Sequence, residues 1–266
     1  MRNERNDNRV NRRRVLAAGI AVVGAAAFGA GRSDRSEAAT LARLPLTASA
    51  TEGPYYLNLP IVRADITDGI KGVPLELRLR VVDQGAATLD GLRVDIWHCD
   101  NQGNYSGFDD RGDVQGRKRS YLRGTQSTDS AGVAAFRTIY PGWYSGRTAH
   151  IHFKVLDGTR ALLTSQLLLP DALSEFLYAN LREYRRAAVR DTLNSNDGIG
   201  LAAGSSVAAA VREAGDRYVA SLDVVVDRTG NGTGNRNSDG NASGQRNRGN
   251  SADRIDALIP GDGSGA

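Results

Sequence analysis

The sequence predicts an all-β fold: a β-sandwich with one helical excursion and a disordered C-terminal tail. Three observations carry this. Short segments in the middle of the chain alternate apolar and polar residues, turn-forming Gly, Asn, Asp and Pro clusters separate them, and only one stretch has helical spacing. Pro74 to Asp83 places Leu75, Leu77, Leu79 and Val81 between Glu76, Arg78 and Arg80, a strand with one wet face. Leu92 to Trp97 alternates in the same way. Further strands are expected at Gly132–Ile139, Ala149–Leu156, Leu162–Leu169 and Val219–Val226. In Asp171 to Arg190 the apolar residues Leu173, Phe176, Leu177 and Leu181 recur at helical spacing. Many short strands and one helix favour a sandwich.

The two ends differ from this middle. Residues 1–14 carry six Arg against two acids, and Val15 to Ala30 is an uncharged Gly/Ala/Val run. That run is short for a membrane span, which needs roughly 20 apolar residues, so residues 1–30 are expected to be a signal peptide. Arg12-Arg13-Arg14-Val15-Leu16 fits the twin-arginine export pattern; cleavage after Ala27, Ala30 or Ala39 is compatible with it, and no stable membrane span is expected afterwards. Removing the leader removes a net charge of +4, the whole formal net charge of the chain. The basic balance therefore belongs to the leader and argues against a nucleic-acid partner. Residues 31–50 are expected to be a linker and 51–227 the folded domain. Residues 228–266, rich in Gly, Asn, Ser, Asp and Arg, cannot bury enough apolar surface to fold and are expected to be disordered. The single cysteine, Cys99, allows no internal disulfide, which leaves stability to a core and a metal. Twin-arginine export moves folded proteins and suits one that takes up its metal before leaving the cytoplasm.

The chain has three His: His98, His150 and His152. His150-Ile151-His152 lies in an expected strand, where alternation puts both imidazoles on one face and within reach of one metal. Alone this pattern is weak. It is accompanied by Tyr140-Pro141-Gly142-Trp143-Tyr144-Ser145-Gly146-Arg147 just upstream, by Trp97-His98-Cys99-Asp100-Asn101-Gln102-Gly103-Asn104-Tyr105, and by Thr51-Glu52-Gly53-Pro54-Tyr55-Tyr56. With Arg190-Asp191-Thr192 and Asn196-Asp197-Gly198 after the helical stretch, these segments resemble the intradiol ring-cleavage dioxygenases, in that family's order.

The resemblance implies a non-haem iron(III) held by Tyr105, Tyr144, His150 and His152, with Tyr144 and His152 axial and Tyr105 and His150 equatorial. It implies an enzyme that cleaves catechol-type aromatic rings with O2 to muconate-type diacids. Arg147 matches the arginine beside the substrate, where it stabilises negative charge on the ring, and Gln166 matches an active-site glutamine that orients substrate. The residue types are chemically coherent. A free tyrosine ionises near pH 10, so two phenolates at neutral pH require a strong Lewis acid, and hard anionic oxygens prefer a hard, highly charged ion. Iron(III), two phenolates and one hydroxide sum to zero charge, which a partly buried site tolerates. His98 is expected to be structural, Cys99 a small buried hydrophobe, Trp97 and Trp143 packing residues, and Tyr55 and Tyr56 part of the pocket mouth.

Two departures from the family stand out. Only five residues separate Tyr144 from His150, where protocatechuate enzymes have a longer loop, so the identity of the catechol stays open. The long helical N-terminal segment by which catechol 1,2-dioxygenases dimerise is absent, so the oligomeric state stays open too. Two other readings compete: a non-catalytic exported β-sandwich binding module, and a zinc hydrolase using His150, His152 and a carboxylate or water, although zinc favours His, Cys and carboxylates over tyrosine.

Overall fold

A computed structural model of the chain describes residues 43–59, 61–108 and 120–229. The expected signal peptide, and the expected tail from residue 230 onward, lie outside the described residues. Eight strands form two four-stranded sheets. They are β1 (Pro74–Val82), β2 (Arg93–Trp97), β3 (Arg123–Ser127), β4 (Val133–Ile139), β5 (His150–Asp157), β6 (Arg160–Leu168), β7 (Ala210–Ala214) and β8 (Arg217–Val225). One sheet has the order β4-β1-β8-β7, the other β3-β2-β5-β6. All pairings are antiparallel except β1 with β8.

The alternation of each strand decides which residues enter the core. Leu75, Leu77, Leu79 and Val81 of β1 share one buried cluster with Val94 and Ile96 of β2, Phe136 of β4, Ile151, Phe153 and Val155 of β5, and Leu222 and Val224 of β8. Each such side chain stabilises the fold by about 1.5–3 kcal/mol relative to exposure. The cluster joins residues from both sheets, which makes the fold the expected sandwich.

The structure differs from expectation in four places. Strand β3, Arg-Gly-Thr-Gln-Ser, has no apolar residue to reveal it; it forms because β2 offers an unpaired ladder edge, with Trp97 opposite Arg123 and Arg93 opposite Ser127. Strand β7 is a mostly exposed edge. The single helical excursion is corrected to two short helices, α1 (Asp171–Asn180) and α2 (Gly198–Ala203). Helix α1 stops well short of Arg190: Leu181 is extended, and a 3₁₀ turn at Arg182–Tyr184 follows. That break lets Tyr184 point inward, where its hydroxyl donates to the Tyr140 carbonyl at 2.7 Å and accepts from the Val73 amide at 3.0 Å. Finally, residues 43–50 of the expected linker run along the sandwich. The Thr47 amide donates to the Val225 carbonyl at 3.0 Å, and the Ala50 amide to the Thr164 carbonyl at 3.0 Å.

Candidate metal centre

The site stands on the outer face of the second sheet. On β5, Ile151, Phe153 and Val155 enter the core, so His150, His152 and Lys154 face the other way. Register then sets a row across all four strands: Arg123 lies opposite Trp97, Trp97 opposite His152, and His152 opposite Gln166. The Trp97 ring stacks on the His152 imidazole at 4.9 Å and 13°, which fixes the plane of that ring.

Two loops bring the tyrosines to this row. The loop after β2 is closed by Asp100, whose Oδ1 accepts from the Gln102 amide at 2.8 Å and the Asn104 amide at 2.9 Å. Gly103 sits at φ 91°, and a Cβ there would overlap the Trp143 carbonyl, so the loop packs backbone to backbone against the Tyr140–Tyr144 segment. The Gly142 amide donates to the Asp100 carbonyl at 2.9 Å and ties the two loops together. As a result Tyr105 Oη lies 3.5 Å and Tyr144 Oη 3.2 Å from His150 Nε2, and His152 Nε2 lies 3.2 Å from the same atom. The four residues singled out from the sequence thus converge.

Their protonation follows from their partners. His150 Nδ1 is 2.6 Å from the Thr148 carbonyl, which can only accept, so Nδ1 carries the proton and Nε2 presents its lone pair to the cluster. Burial, then the positive charge of Arg147, pushes His150 down to about 3; burial and His150 hold His152 well below the usual imidazole range. Burial pushes Tyr144 up to about 12 against the opposing pull of Arg147, and burial with the neighbouring Tyr144 raises Tyr105 well above the usual phenol range. Without a cation the cluster is therefore two neutral imidazoles and two phenols.

This donor set suits a hard trivalent ion such as iron(III): two nitrogens that keep their lone pairs and two phenols that a strong Lewis acid can ionise. Donors sharing one metal at bonds of about 2.0–2.2 Å lie about 3 Å apart, which the observed separations match. Among the described residues no three His, Cys, Asp or Glu side chains gather as a metal site, so the zinc reading finds no carboxylate beside His150 and His152.

Arg147 and Gln166 meet beside the cluster. Arg147 Nη2 donates to Gln166 Oε1, and Gln166 Nε2 donates to the Thr51 carbonyl at 2.9 Å. Behind them stands Asp197, which the residue-by-residue reading passed over. Its Oδ2 accepts from Arg147 Nε at 2.9 Å and the Thr148 amide at 2.9 Å, while Oδ1 caps α2 through the Ile199 and Gly200 amides at 2.9 and 3.0 Å. Burial raises the Asp197 carboxyl, but these donors outweigh it and hold it below the usual carboxylate range. The signal was available: Asp before Gly-Ile-Gly-Leu-Ala-Ala has the form of a helix N-cap.

Tyr55 stacks on Tyr105 at 4.3 Å and 13°, and its carbonyl accepts from buried Arg123 at 2.7 Å. Tyr56 instead donates to Asp95 at 3.0 Å. His98 is structural: Nδ1 donates to the Cys99 carbonyl at 2.8 Å and Nε2 accepts from Thr138 Oγ1 at 2.7 Å. Burial pushes the Cys99 thiol up to about 12, which leaves it uncharged.

A family model described as Dioxygenase matches residues 51–193, more than half of the chain and all four candidate ligands. The chain belongs to the intradiol ring-cleavage dioxygenase family. Among curated relatives of this dioxygenase-family chain, chlorocatechol 1,2-dioxygenase of Pseudomonas putida is 34% identical over 44% of this chain and 52% of its own length. Catechol 1,2-dioxygenase of Acinetobacter baylyi is 28% identical over 57% of this chain and 55% of its own. The chain thus spans about half the length of the curated relatives it matches. Among solved structures, an intradiol ring-cleavage dioxygenase from Tetranychus urticae superposes with a TM-score of 0.65 at 27% identity, covering 69% of this chain and 95% of that one. The dioxygenase domain of a carbohydrate-binding fusion protein from Streptomyces sp. SirexAA-E gives 0.53 at 29% identity, over 69% and 99%.

Proposed function

We propose that the chain is an iron(III)-dependent intradiol dioxygenase that opens catechol-type rings with O2 to muconate-type diacids. The observation that carries this is the convergence of two phenols and two lone-pair imidazoles, with Tyr105 Oη, Tyr144 Oη and His152 Nε2 all within 3.5 Å of His150 Nε2. Tyr105, Tyr144, His150 and His152 would hold the ion. When bound, iron(III) supplies the Lewis acidity that keeps both phenols ionised near neutral pH and activates a chelated catecholate toward O2.

The two tyrosines have different duties. Tyr105 is buried under Tyr55 and stays in place. Tyr144 is only partly buried and precedes the exposed Ser145-Gly146 turn. This supports Tyr144 as the group that takes a proton from the entering catechol at Oη and swings away, leaving room for the second substrate oxygen. Arg147 depresses the pKa of Tyr144 and of both imidazoles, so its charge reaches the cluster. There it stabilises negative charge on the ring. Gln166, held by Arg147 and Thr51, orients the substrate.

Export belongs to the same proposal. The twin-arginine pattern at Arg12–Leu16 supports an extracellular or cell-envelope location, and no helix among the described residues is long and apolar enough to cross a membrane. Replacing Arg12 and Arg13 by Lys should abolish export; unchanged export would remove this part.

The deciding experiment is the visible spectrum of iron-loaded protein, followed by catechol without oxygen and then by air. A red-brown tyrosinate-to-iron band, shifted by catechol and restored as a diacid forms, is expected. A colourless loaded protein that leaves catechol untouched would return the chain to the binding-module reading.

A further inference from the structure

Two guanidiniums stand beside the tyrosine–histidine cluster, and their partners differ. Arg147 has a carboxylate: its Nε donates to Asp197 Oδ2 at 2.9 Å. Arg123 is only 4% exposed, and the acceptors that hold it among the described residues are all neutral. Nη1 donates to the Tyr55 carbonyl at 2.7 Å, Nη2 to the Ser106 carbonyl at 2.8 Å, and Nε to Ser106 Oγ at 2.9 Å. These bonds engage all three nitrogens without cancelling the charge, which a guanidinium keeps at any ordinary pH. Buried charges are normally paired, so the anion that answers this one is the question.

Position points to Tyr105. The Arg123 guanidinium carbon lies 6.0 Å from the centroid of the Tyr105 ring and 5.6 Å from that of Phe108. Its two anchors are the residue that follows Tyr105, Ser106, and the residue whose ring stacks on Tyr105, Tyr55. The fork therefore grips both the backbone that carries Tyr105 and the ring that covers it. Arg123 is itself fixed by its place on β3 opposite Trp97, the ring that stacks on His152. Arginine suits this work because its planar fork can hold several acceptors in one geometry while remaining charged.

We propose that Arg123 is a positioning residue for the iron site: it clamps Tyr105 in place and lends its unpaired charge to the Tyr105 phenolate. This makes Tyr105 the permanent anionic ligand and leaves the exchange with substrate to Tyr144. The inference rests on the reading of Tyr105 as an iron(III) ligand and adds to it the residue that sets the strength of that phenolate as a donor. Arg147, already neutralised in part by Asp197, serves the substrate side of the cluster; Arg123 serves the ligand side.

The test uses the iron-loaded full chain, with two readouts: the position of the visible band, and iron affinity measured against a competing chelator. In that band an electron leaves tyrosinate for the metal, and a cation beside the tyrosinate holds the electron back. Arg123→Gln removes the charge, so it should move the band to longer wavelength and weaken iron binding by about 10–100-fold. Arg123→Lys keeps the charge and loses the fork; its band should stay at the wild-type position while iron binding weakens less than in Arg123→Gln. An arginine that only packed would give equal changes in both variants, because both lose the fork. Equal band shifts in the two, or an unmoved band in Arg123→Gln, would overturn the proposal. If Arg123→Gln does not fold, Arg123→Lys decides alone: a displaced band overturns the proposal, and a band held in place with weakened iron binding supports it. A colourless iron-loaded wild type is a different result, which removes the iron reading and this inference with it.

Discussion

The sandwich has two outer faces, and the sequence treats them differently. On the first sheet, Arg78, Arg80 and Asp223 point away from the core into water, and the ion pairs Arg78–Glu76 and Arg80–Asp223 lie at the surface. On the second sheet, the row Arg123, Trp97, His152 and Gln166 points outward too, yet all four are buried. Alternation sends polar residues outward in both cases. What differs is the cover: residues 51–56, the Asp100–Tyr105 loop and the Tyr144 turn roof over the second face. A roofed polar face must have partners for every group or a ligand to satisfy them. Polarity on a strand's outer face is thus uninformative until one knows what lies above it.

The sharpest break of this comparison lies within β5. His152→Ala should reduce iron affinity by more than the roughly 10–100-fold that loss of an outer-shell partner costs, with the visible band gone and the fold retained. Ile151→Ala, one residue away on the core face, should cost about 2–5 kcal/mol in denaturant unfolding while the folded fraction keeps its band. Iron titration and urea melts on the two variants separate the faces; if both changes act on stability alone, the outward imidazoles are packing residues.

Acid should attack the roofed face next. His98 is pushed down to about 4 and His150 to about 3, mainly by burial, and burial with the neighbouring His150 holds His152 well below the usual imidazole range. Unfolded imidazoles titrate near 6.5. Below that pH the unfolded chain binds more protons than the folded one, so stability is full above about 6.5 and falls as pH drops toward the folded values. The metal-free protein should lose on the order of a few kcal/mol between pH 7 and pH 4.5, seen as a lower urea midpoint. His98→Gln should flatten that dependence. A pH-independent midpoint would mean the imidazoles are reached by water.

Asp197 offers a smaller, more selective break. It grips Arg147 and Thr148 with one oxygen and caps α2 with the other. Asn caps as well as Asp, so Asp197→Asn should keep the helix but lose the charged grip on Arg147. Turnover should drop roughly 10–100-fold, with iron content and the unperturbed band unchanged. Equal losses of thermal stability and activity would reduce Asp197 to a cap.

These residues also show what could be read before folding. Strands β1, β2, β4, β5, β6 and β8 announce themselves because their apolar residues alternate into one core. Strand β3 does not: Gly124 leaves room for Ile66, whose Cγ2 would stand 2.5 Å from an added Cβ, so its packing is supplied by another segment. The His pair was legible from period-two geometry. Tyr105 and Tyr144 were legible only through family resemblance, because they reach His150 by way of loops whose contact depends on Gly103 and the Gly142 amide. Asp197 lies 47 residues past His150 in the chain, and nothing local links its capping side chain to Arg147.

The smallest effect belongs to the wet face. Arg80 and Asp223 form an ion pair across β1 and β8, with side chains 50% and 57% exposed. Water screens both charges, and such exposed pairs contribute about 0.2–1 kcal/mol. Arg80→Ala should therefore shift the urea midpoint slightly, less so in 1 M salt, where screening removes most of what remains. The visible band and turnover should not change. A shift in the band would show that the two outer faces communicate through the core, because Leu79 and Val81, which flank Arg80, pack in the same cluster as Ile151 and Phe153.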